Sequence, residues 1–419
     1  MQTPEVARGD GRDVMLQAFH WNLVKTQGTG TVDGQDRSWY RILREDFVDR
    51  IAALDVSLVL LPPPWVDDSA WEEGGRHGGG EGYFWRDFDL DSRYGTKAEL
   101  IDLVAALRAR GIRCIADLVV NHRDAHRMRQ DVWPYPGPHW RLGGEDSGAG
   151  FLDGRFDLNL NHPDVRARIL RAMNELLDEV GVVGWRWDFV WGYRPEEVVA
   201  AIRATPAREY FSFGEYWQGM PDKPDDPFIA RYGREERDRI IGWALDTGCC
   251  ALDIPTKGAI QSGDPRWLGA GLHADPDPEV RGLAVTYVDN HDTGASPHSP
   301  SSGWGQKHWE CPPHFKSMAY AYVLSMPGVP TVYWPDAFDW GFEERLRGLI
   351  AARRRAGVTA RSAWRDLRPP HEGFAAVVAD ERGEESLALS IGSDYPGPGR
   401  GWEAAAEHPG QWTVWVRAR

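Results

Sequence analysis

Gly181-Val-Val-Gly-Trp-Arg-Trp-Asp-Phe-Val-Trp-Gly-Tyr193 is a short apolar run that closes on a charged pair boxed in by aromatics. Val182 and Val183 open a buried strand, and the alternation of a strand then sends Arg186 and Asp188 to one side and Trp185 and Trp187 to the other. The guanidinium and the carboxylate therefore face one space, where a nearby positive charge favours the ionised aspartate. An ionised carboxylate in a dry cleft can act as a nucleophile. Taken alone, an Arg-x-Asp reads more simply as an ion pair at a strand end, so the neighbours of the stretch have to decide.

Working outward, residues 164–180 carry helical spacing into this strand, and residues 195–204 form a helix with proline in its first turn. Towards the N-terminus the same beat runs through a first strand at 14–19, a helix at 39–54, and a second strand at 57–61 stopped by Pro62-Pro63-Pro64. A helix at 97–110 and a third strand at 112–120 follow. Towards the C-terminus, strands are expected at 210–215, 249–254, 283–289 and 329–333, then a helix at 343–356. Eight strands alternating with helices predict an α/β protein, a (β/α)8 TIM barrel whose functional residues sit at the C-terminal ends of the strands. The beat breaks at 123–162, rich in Pro, Gly, Trp and Asp and longer than an ordinary loop, which predicts a functional segment or a small inserted loop-rich subdomain after strand 3. After 357 the texture changes to short β-type runs at 374–378, 386–391 and 411–416, predicting a small C-terminal antiparallel β domain. The expected domains are thus a barrel at 1–122 and 163–357, the insert at 123–162, and the β domain at 358–419.

Composition narrows the partners. A net charge of −15 and a pI near 5.4 argue against nucleic acid and against anionic membrane surfaces, both of which need a basic face. The 21 tryptophans supply flat apolar faces of the kind on which sugar rings stack, although many must simply fill the core. The four cysteines, Cys114, Cys249, Cys250 and Cys311, show no metal-binding spacing; Cys114 reads as a core thiol, and a bridge from Cys311 to one of the adjacent pair is left open. Residues 1–13 lack the apolar core of a signal peptide, and no run approaches a membrane span. A soluble monomer is expected, with secretion or a cytoplasmic location left open.

Four polar clusters follow the strands: Asp117 with Asn121 and His122, Arg186 with Asp188, Glu215, and His291 with Asp292. Asp117-Leu-Val-Val-Asn-His122, Gly184-Trp-Arg-Trp-Asp188, Gly214-Glu-Tyr-Trp217 and Tyr287-Val-Asp-Asn-His-Asp292, in that order, resemble the four signature segments of the α-amylase family of glycoside hydrolases, glycoside hydrolase family 13. Leu16-Gln-Ala-Phe-His-Trp21, Gly79-Gly-Glu-Gly-Tyr-Phe-Trp85, Tyr94-Gly95, Asp289-Asn-His-Asp-Thr-Gly294 and Phe338-Asp-Trp-Gly341 look like the branch that holds plant α-amylases and bacterial maltotetraose-forming amylases. The similarity covers nearly the whole chain.

The resemblance implies retaining hydrolysis of α-1,4-glucosidic bonds in starch-like glucans or maltooligosaccharides, with an α-glucan as the partner. It puts Asp188 at the nucleophile position, Glu215 at the general acid/base and Asp292 at the third carboxylate, which orients the sugar. A retaining glycosidase needs one ionised carboxylate and one that stays protonated until it donates, about 5 to 5.5 Å apart. Glu215, beside Tyr216 and Trp217, is expected to have its pKa raised by desolvation. His122 and His291 match positions that hydrogen-bond the sugar, Tyr83 matches an aromatic stacked beneath it, and Arg186 and Trp217 complete the expected substrate contacts. For calcium, Asn121, Asp157 and the Gly192 carbonyl match the family's ligands, and Asp146 is a further candidate; such a hard ion takes six to eight oxygens and would pin the insert to the barrel.

Three departures stand out. Trp191 occupies a position where relatives have Lys or Arg, so stacking would replace charge there. Trp185 and Trp187 replace phenylalanines and require smaller neighbours. Asp153-Gly154-Arg155 stands where the tetraose-forming relatives carry Gly-Gly-Asp, which leaves product length open. The alternatives are an α-glucan transglycosylase and a non-catalytic glucan-binding protein on the same fold.

Overall fold

The computed structural model describes residues 8–21, 23, 37–67, 81–123, 158, 160, 162–205, 211–217, 226–296, 309–367 and 373–418, with the backbone alone over 226–234. Eight strands, β1 (Met15–Gln17), β2 (Leu58–Leu61), β3 (Arg113–Leu118), β4 (Gly184–Trp187), β5 (Phe211–Gly214), β6 (Cys250–Leu252), β7 (Ala284–Tyr287) and β8 (Val329–Tyr333), pair in parallel in chain order. The barrel closes because β1 pairs with both β2 and β8. The expected (β/α)8 architecture is therefore present, with most strands shorter than their apolar runs. Val182 and Val183, expected to begin the fourth strand, lie just before β4, where Val183 N still donates to Cys114 O at 2.8 Å.

The helical layer begins with α1 (Trp39–Ile42) and α2 (Val48–Ala53), joined by a π-helical turn, Leu43–Phe47, within the single helix expected there. Next come α3 (Lys97–Ala109), opened by a Thr96/Glu99 capping box, and α4 (Pro163–Glu175), which runs through the π-helical stretch Leu176–Val180. That stretch ends at Gly181, whose φ of +85° turns the chain into β4. The remaining helices are α5 (Pro195–Ala204), α6 (Asp226–Thr247), α7 (Ile254–Gln261), α8 (Pro278–Arg281), α9 (Lys316–Ser325) and α10 (Glu343–Ala356). α9 carried no helical signal because nearly all its residues are buried, so it has no polar face to mark a period.

A separate five-stranded antiparallel sheet follows, in the order β12 (Trp402–His408), β13 (Trp412–Arg417), β11 (Glu385–Ile391), β10 (Phe374–Ala379), β9 (Trp364–Asp366). Its two edge strands were not expected: β9 is short and exposed, and the β12 sequence WEAAAEH is helix-favouring by composition. The sheet packs on the barrel, with Trp412 Nε1 donating to Ser317 Oγ of α9 at 2.9 Å.

Trp185 and Trp187 are both buried. Trp187 lines a mostly apolar cavity of about 70 Å³ together with Ile169, Val198, Ala200 and Ala201, so small side chains of α5 give the larger ring its room. All four cysteines are free and buried, which answers the question of a bridge. The insert expected at 123–162 lies outside the described residues apart from 123, 158, 160 and 162. Among the described residues no helix is long and apolar enough to cross a membrane.

Candidate active site

The geometry is organised by Arg186. It leaves β4 into the barrel, where Nη1 donates to Asp117 Oδ1 and Oδ2 at 2.8 and 2.9 Å and to Asp188 Oδ1 at 2.7 Å. Nη2 lies 2.8 Å from Glu215 Oε2 and 4.0 Å from Asp292 Oδ2. Register explains the gathering: Asp117 sits opposite Arg186 across the β3–β4 ladder, Glu215 follows β5 with its N–H on Trp187 O, and Asp292 lies in the loop after β7. The three acids singled out in the sequence thus converge on one guanidinium, with Asp117 as a fourth.

One guanidinium against four acids, among the described residues, changes the electrostatics expected from the sequence. Arg186 was read as holding Asp188 well ionised. Burial outweighs it, and the neighbouring acids add repulsion: Asp188 and Asp117 are each pushed up to about 6. Glu215 is pushed up to about 7, by burial first, with Arg186 opposing and Asp188 adding to the rise. Asp292 is raised well above the ordinary carboxylate range by burial and by Glu215. Asp188 remains the readier of the pair to ionise, and Glu215 the readier to keep a proton.

His291 is fixed on both ring nitrogens. Gln17 Nε2 meets Nδ1 at 2.9 Å and Phe19 O at 3.4 Å, which makes it a donor to both, so Nδ1 accepts and Nε2 carries the proton. Nε2 reaches Tyr83 OH at 2.6 Å and Asp292 Oδ2 at 3.2 Å, while Tyr83 OH donates to Asp117 Oδ2 at 2.8 Å. Burial and Arg186 hold this ring neutral, and burial pushes His122 down to about 3, so it too is neutral. The Tyr83 ring stacks on His291 and on Trp21 at centroid distances of 5.2 and 5.1 Å. Trp191 packs on Phe189, immediately after Asp188, and Trp217 lies against Trp309, whose backbone N–H donates to Thr293 O.

Gln17, Trp21 and Asp117 are part of this constellation although only the motifs around them pointed there. A second buried group was signalled only at its aspartate, which lies inside the quoted motifs, and not at its lysines. Asp289, at the base of the loop carrying His291 and Asp292, is met by Lys257 Nζ at 2.7 Å and Lys316 Nζ at 3.1 Å, and Lys316 also reaches Asp336 at 2.8 Å. Lys257 and Lys316 come from α7 and α9, far from β7 in sequence, and two of the chain's few lysines are spent here.

Of the expected calcium ligands, Asp146 and Asp157 lie outside the described residues. Asn121 and Gly192 are neighbours: a Cβ at Gly192 would stand 2.4 Å from Asn121 Oδ1, so only glycine leaves that oxygen its place. The Asn121 carbonyl accepts from Leu158 N at 2.8 Å, which brings the chain beside position 157 to the same spot. The Asn121 side-chain oxygen, set against a backbone with no side chain, is the kind of donor a hard cation takes. Among the described residues no cluster of three His, Cys, Asp or Glu forms a metal site.

No family model matches the chain. It is 36% identical to the glucan 1,4-alpha-maltotetraohydrolase of Roseateles saccharophilus over 401 residues, covering 93% of this chain and 69% of that protein. It is equally 36% identical to the enzyme of the same name from Stutzerimonas stutzeri, covering 95% of this chain and 72% of that one. To the probable alpha-amylase 2 of Arabidopsis thaliana it is 30% identical, covering 97% and 94%. Among solved structures, the alpha-amylase of Geobacillus thermoleovorans superposes with a TM-score of 0.66 at 16% identity, covering 98% of this chain and 99% of that one. The gamma-CGTase of alkalophilic Bacillus clarkii gives 0.70 at 15% identity, covering 99% and 71%. At those identities the structural likeness concerns the fold.

Proposed function

The chain belongs to the α-amylase family of glycoside hydrolases, and from that premise we propose that Asp188 is its nucleophile, Glu215 its general acid/base and Asp292 the carboxylate that holds the sugar. It is a glycoside hydrolase that cleaves α-1,4-glucosidic bonds of glucans. The observation that carries the assignment is the pair of carboxylates on one guanidinium, Asp188 on Nη1 and Glu215 beside Nη2, with Glu215 the more basic.

In the first step a lone pair of an Asp188 oxygen forms a bond to the anomeric carbon. The C1–O bond breaks, its electrons leave with the glycosidic oxygen, and that oxygen takes the proton of Glu215. In the second step Glu215, now a carboxylate, takes a proton from water; the water oxygen bonds to C1 and Asp188 departs, so configuration is retained. Arg186 does not move a proton. It keeps the anionic forms of both acids accessible in a site from which water is excluded. Neutral His122 and His291, Asp292 and the Tyr83 ring bind the sugar at the cleavage point, while Trp191 and Trp217 stack on the glucan to either side.

A calcium ion on Asn121, Asp157 and the Gly192 carbonyl, with Asp146 as a further ligand, is part of the same reading; it would neutralise those oxygens and tie the 123–162 insert to the turn after Asp188. The domain boundaries at 122/123, 162/163 and 357/358 and a monomeric state belong to it as well.

Product analysis on soluble starch, with and without chelator, tests activity, anomeric outcome and metal dependence together. Glu215→Gln and Asp188→Asn should each lower kcat by at least about a hundredfold, the lower end of what acid–base catalysis contributes, with the thermal transition unchanged. Normal turnover by either variant would remove it from the mechanism.

A further inference from the structure

Phe189 is one of two described residues other than glycine with a positive φ, at φ 49° and ψ 46°. Left-handed backbone is disfavoured for a side chain with a Cβ, and such a residue persists only where its surroundings over-determine it. Here they do. The peptide unit between Asp188 and Phe189 is held on both sides: its carbonyl accepts from Tyr193 OH at 3.1 Å, and its N–H, pointing the opposite way, donates to Glu215 Oε2 at 3.2 Å. Val190 N donates to the Glu215 backbone carbonyl at 3.2 Å and Gly192 N to Phe189 O at 3.0 Å, so the turn is tied to the residue whose carboxylate it faces.

Both positive contacts to the Glu215 carboxyl fall on one oxygen. Oε2 receives the Phe189 N–H and faces Arg186 Nη2 at 2.8 Å. A carboxylic acid whose one oxygen accepts from a fixed donor and lies against a guanidinium carries its proton on the other. We propose that the Phe189 backbone N–H is a positioning group for the acid/base, holding the transferable proton of Glu215 on Oε1, and that the left-handed turn after Asp188 exists to aim it. The turn thereby links the two halves of the reaction, because the peptide group that places the nucleophile also orients the acid. In the first step the bond that breaks is Oε1–H, its proton passing to the departing glycosidic oxygen while Oε2 keeps its donor; in the second step Oε1 receives the proton from water. The proposal rests on the reading of Glu215 as the acid/base.

The groups that act on Glu215 are Arg186, Asp188 and Tyr193 from β4 and its turn, Asp117 from β3, and Tyr287 and Asp292 from β7 and its loop. None is removed by replacing the Asp188–Phe189 amide with an ester, phenyllactate at position 189, which deletes the N–H alone. The full-length ester protein is assayed on soluble starch and on an α-maltosyl fluoride, whose leaving group departs as a stable anion without a proton. The expected result is a loss of about tenfold or more in kcat on starch, a small part of the 10² to 10⁴ that acid catalysis supplies, with fluoride turnover kept. Losing a donor to the carboxylate should also move the basic limb of the pH profile upward, by about half a unit or more. Phe189→Gly, which keeps the N–H and suits the left-handed turn, should restore the starch-to-fluoride ratio and the original limb. Tyr193→Phe, which frees the other side of the same peptide unit, should lower the starch-to-fluoride ratio in the same direction as the ester and by less. Equal losses on both substrates, or an unmoved basic limb, would overturn the proposal. Glu215→Gln is the reference: if it too fails to separate the two substrates, the fault lies in the assignment of Glu215 instead.

Discussion

At the scale of single residues, the site is governed by scarcity of positive charge. Among the described residues, Arg186 alone serves Asp117, Asp188, Glu215 and Asp292. Raised carboxylates make a sharp prediction for pH. Activity needs Asp188 as the anion and Glu215 as the acid, so kcat/KM should fall below about 6, as Asp188 takes up a proton, and above about 7, as Glu215 loses its own. Because the two acids interact, the limbs belong to the pair; steady-state kinetics across pH 4 to 9 reads both. Arg186→Lys keeps a charge but not the two-nitrogen fork. It should lower kcat by about a hundredfold, as removal of one fixed transition-state donor does, and shift both limbs upward. An unchanged profile in this variant would mean that the guanidinium does not set the balance. The sequence made Asp188, Glu215 and Asp292 legible because each lies in a motif, but it could not weigh burial against charge. It therefore named the lowering of Asp188 by Arg186 and missed the larger rise from burial.

Elements succeed or fail on close contacts that no local pattern records. Gly214 closes β5, and a Cβ there would stand 2.2 Å from Cη2 of Trp243 on α6. Gly214→Ala should cost about 1–3 kcal/mol, the usual range for overpacking, read as a lower urea midpoint, and should displace Glu215, the next residue. The loop after β7 depends on Asp289 between Lys257 and Lys316. Asp289→Asn leaves two ammonium groups buried around a neutral amide. It should destabilise the chain by about 3–5 kcal/mol, the range for breaking a buried ion pair from one side. A loss below about 1 kcal/mol in urea unfolding would show that the lysines find other partners. Strand and helix positions were legible wherever one face is apolar, as in 343–356, and were lost where the whole element is buried, as in α9, or lies at a polar sheet edge, as in β12. The buried lysine pair was invisible because its members meet only when α7, α9 and β7 are assembled.

For the molecule as a whole, the C-terminal sheet and the barrel share the faces of α9 and α10: Trp412 reaches α9, and Val414 and Val416 of the same strand are fully buried. A common core of that kind predicts one cooperative thermal transition, the same by near-ultraviolet circular dichroism and by tryptophan fluorescence. Two separated transitions would show that the sheet folds independently. Chelation should lower that single transition through loss of a ligand bound only to the folded form, and Asn121→Ala should weaken the response to added calcium. The general architecture was readable from the alternation of strands and helices, since a parallel sheet with crossover helices has few ways to close. The stretch at 123–162 offered no such reading, because its sequence carries no hydrophobic period to follow.

Closure itself has a consequence in time. β1 is completed by Leu58–Leu61 on one side, but its other edge waits for Val329–Tyr333, roughly three hundred residues later. At about 5–20 residues per second of synthesis, the backbone of Met15–Gln17 stays unpaired along that edge for roughly 15 to 60 s after it leaves the ribosome. An open apolar edge is a template for the wrong partner. The nascent chain should therefore depend on chaperone protection until β8 emerges.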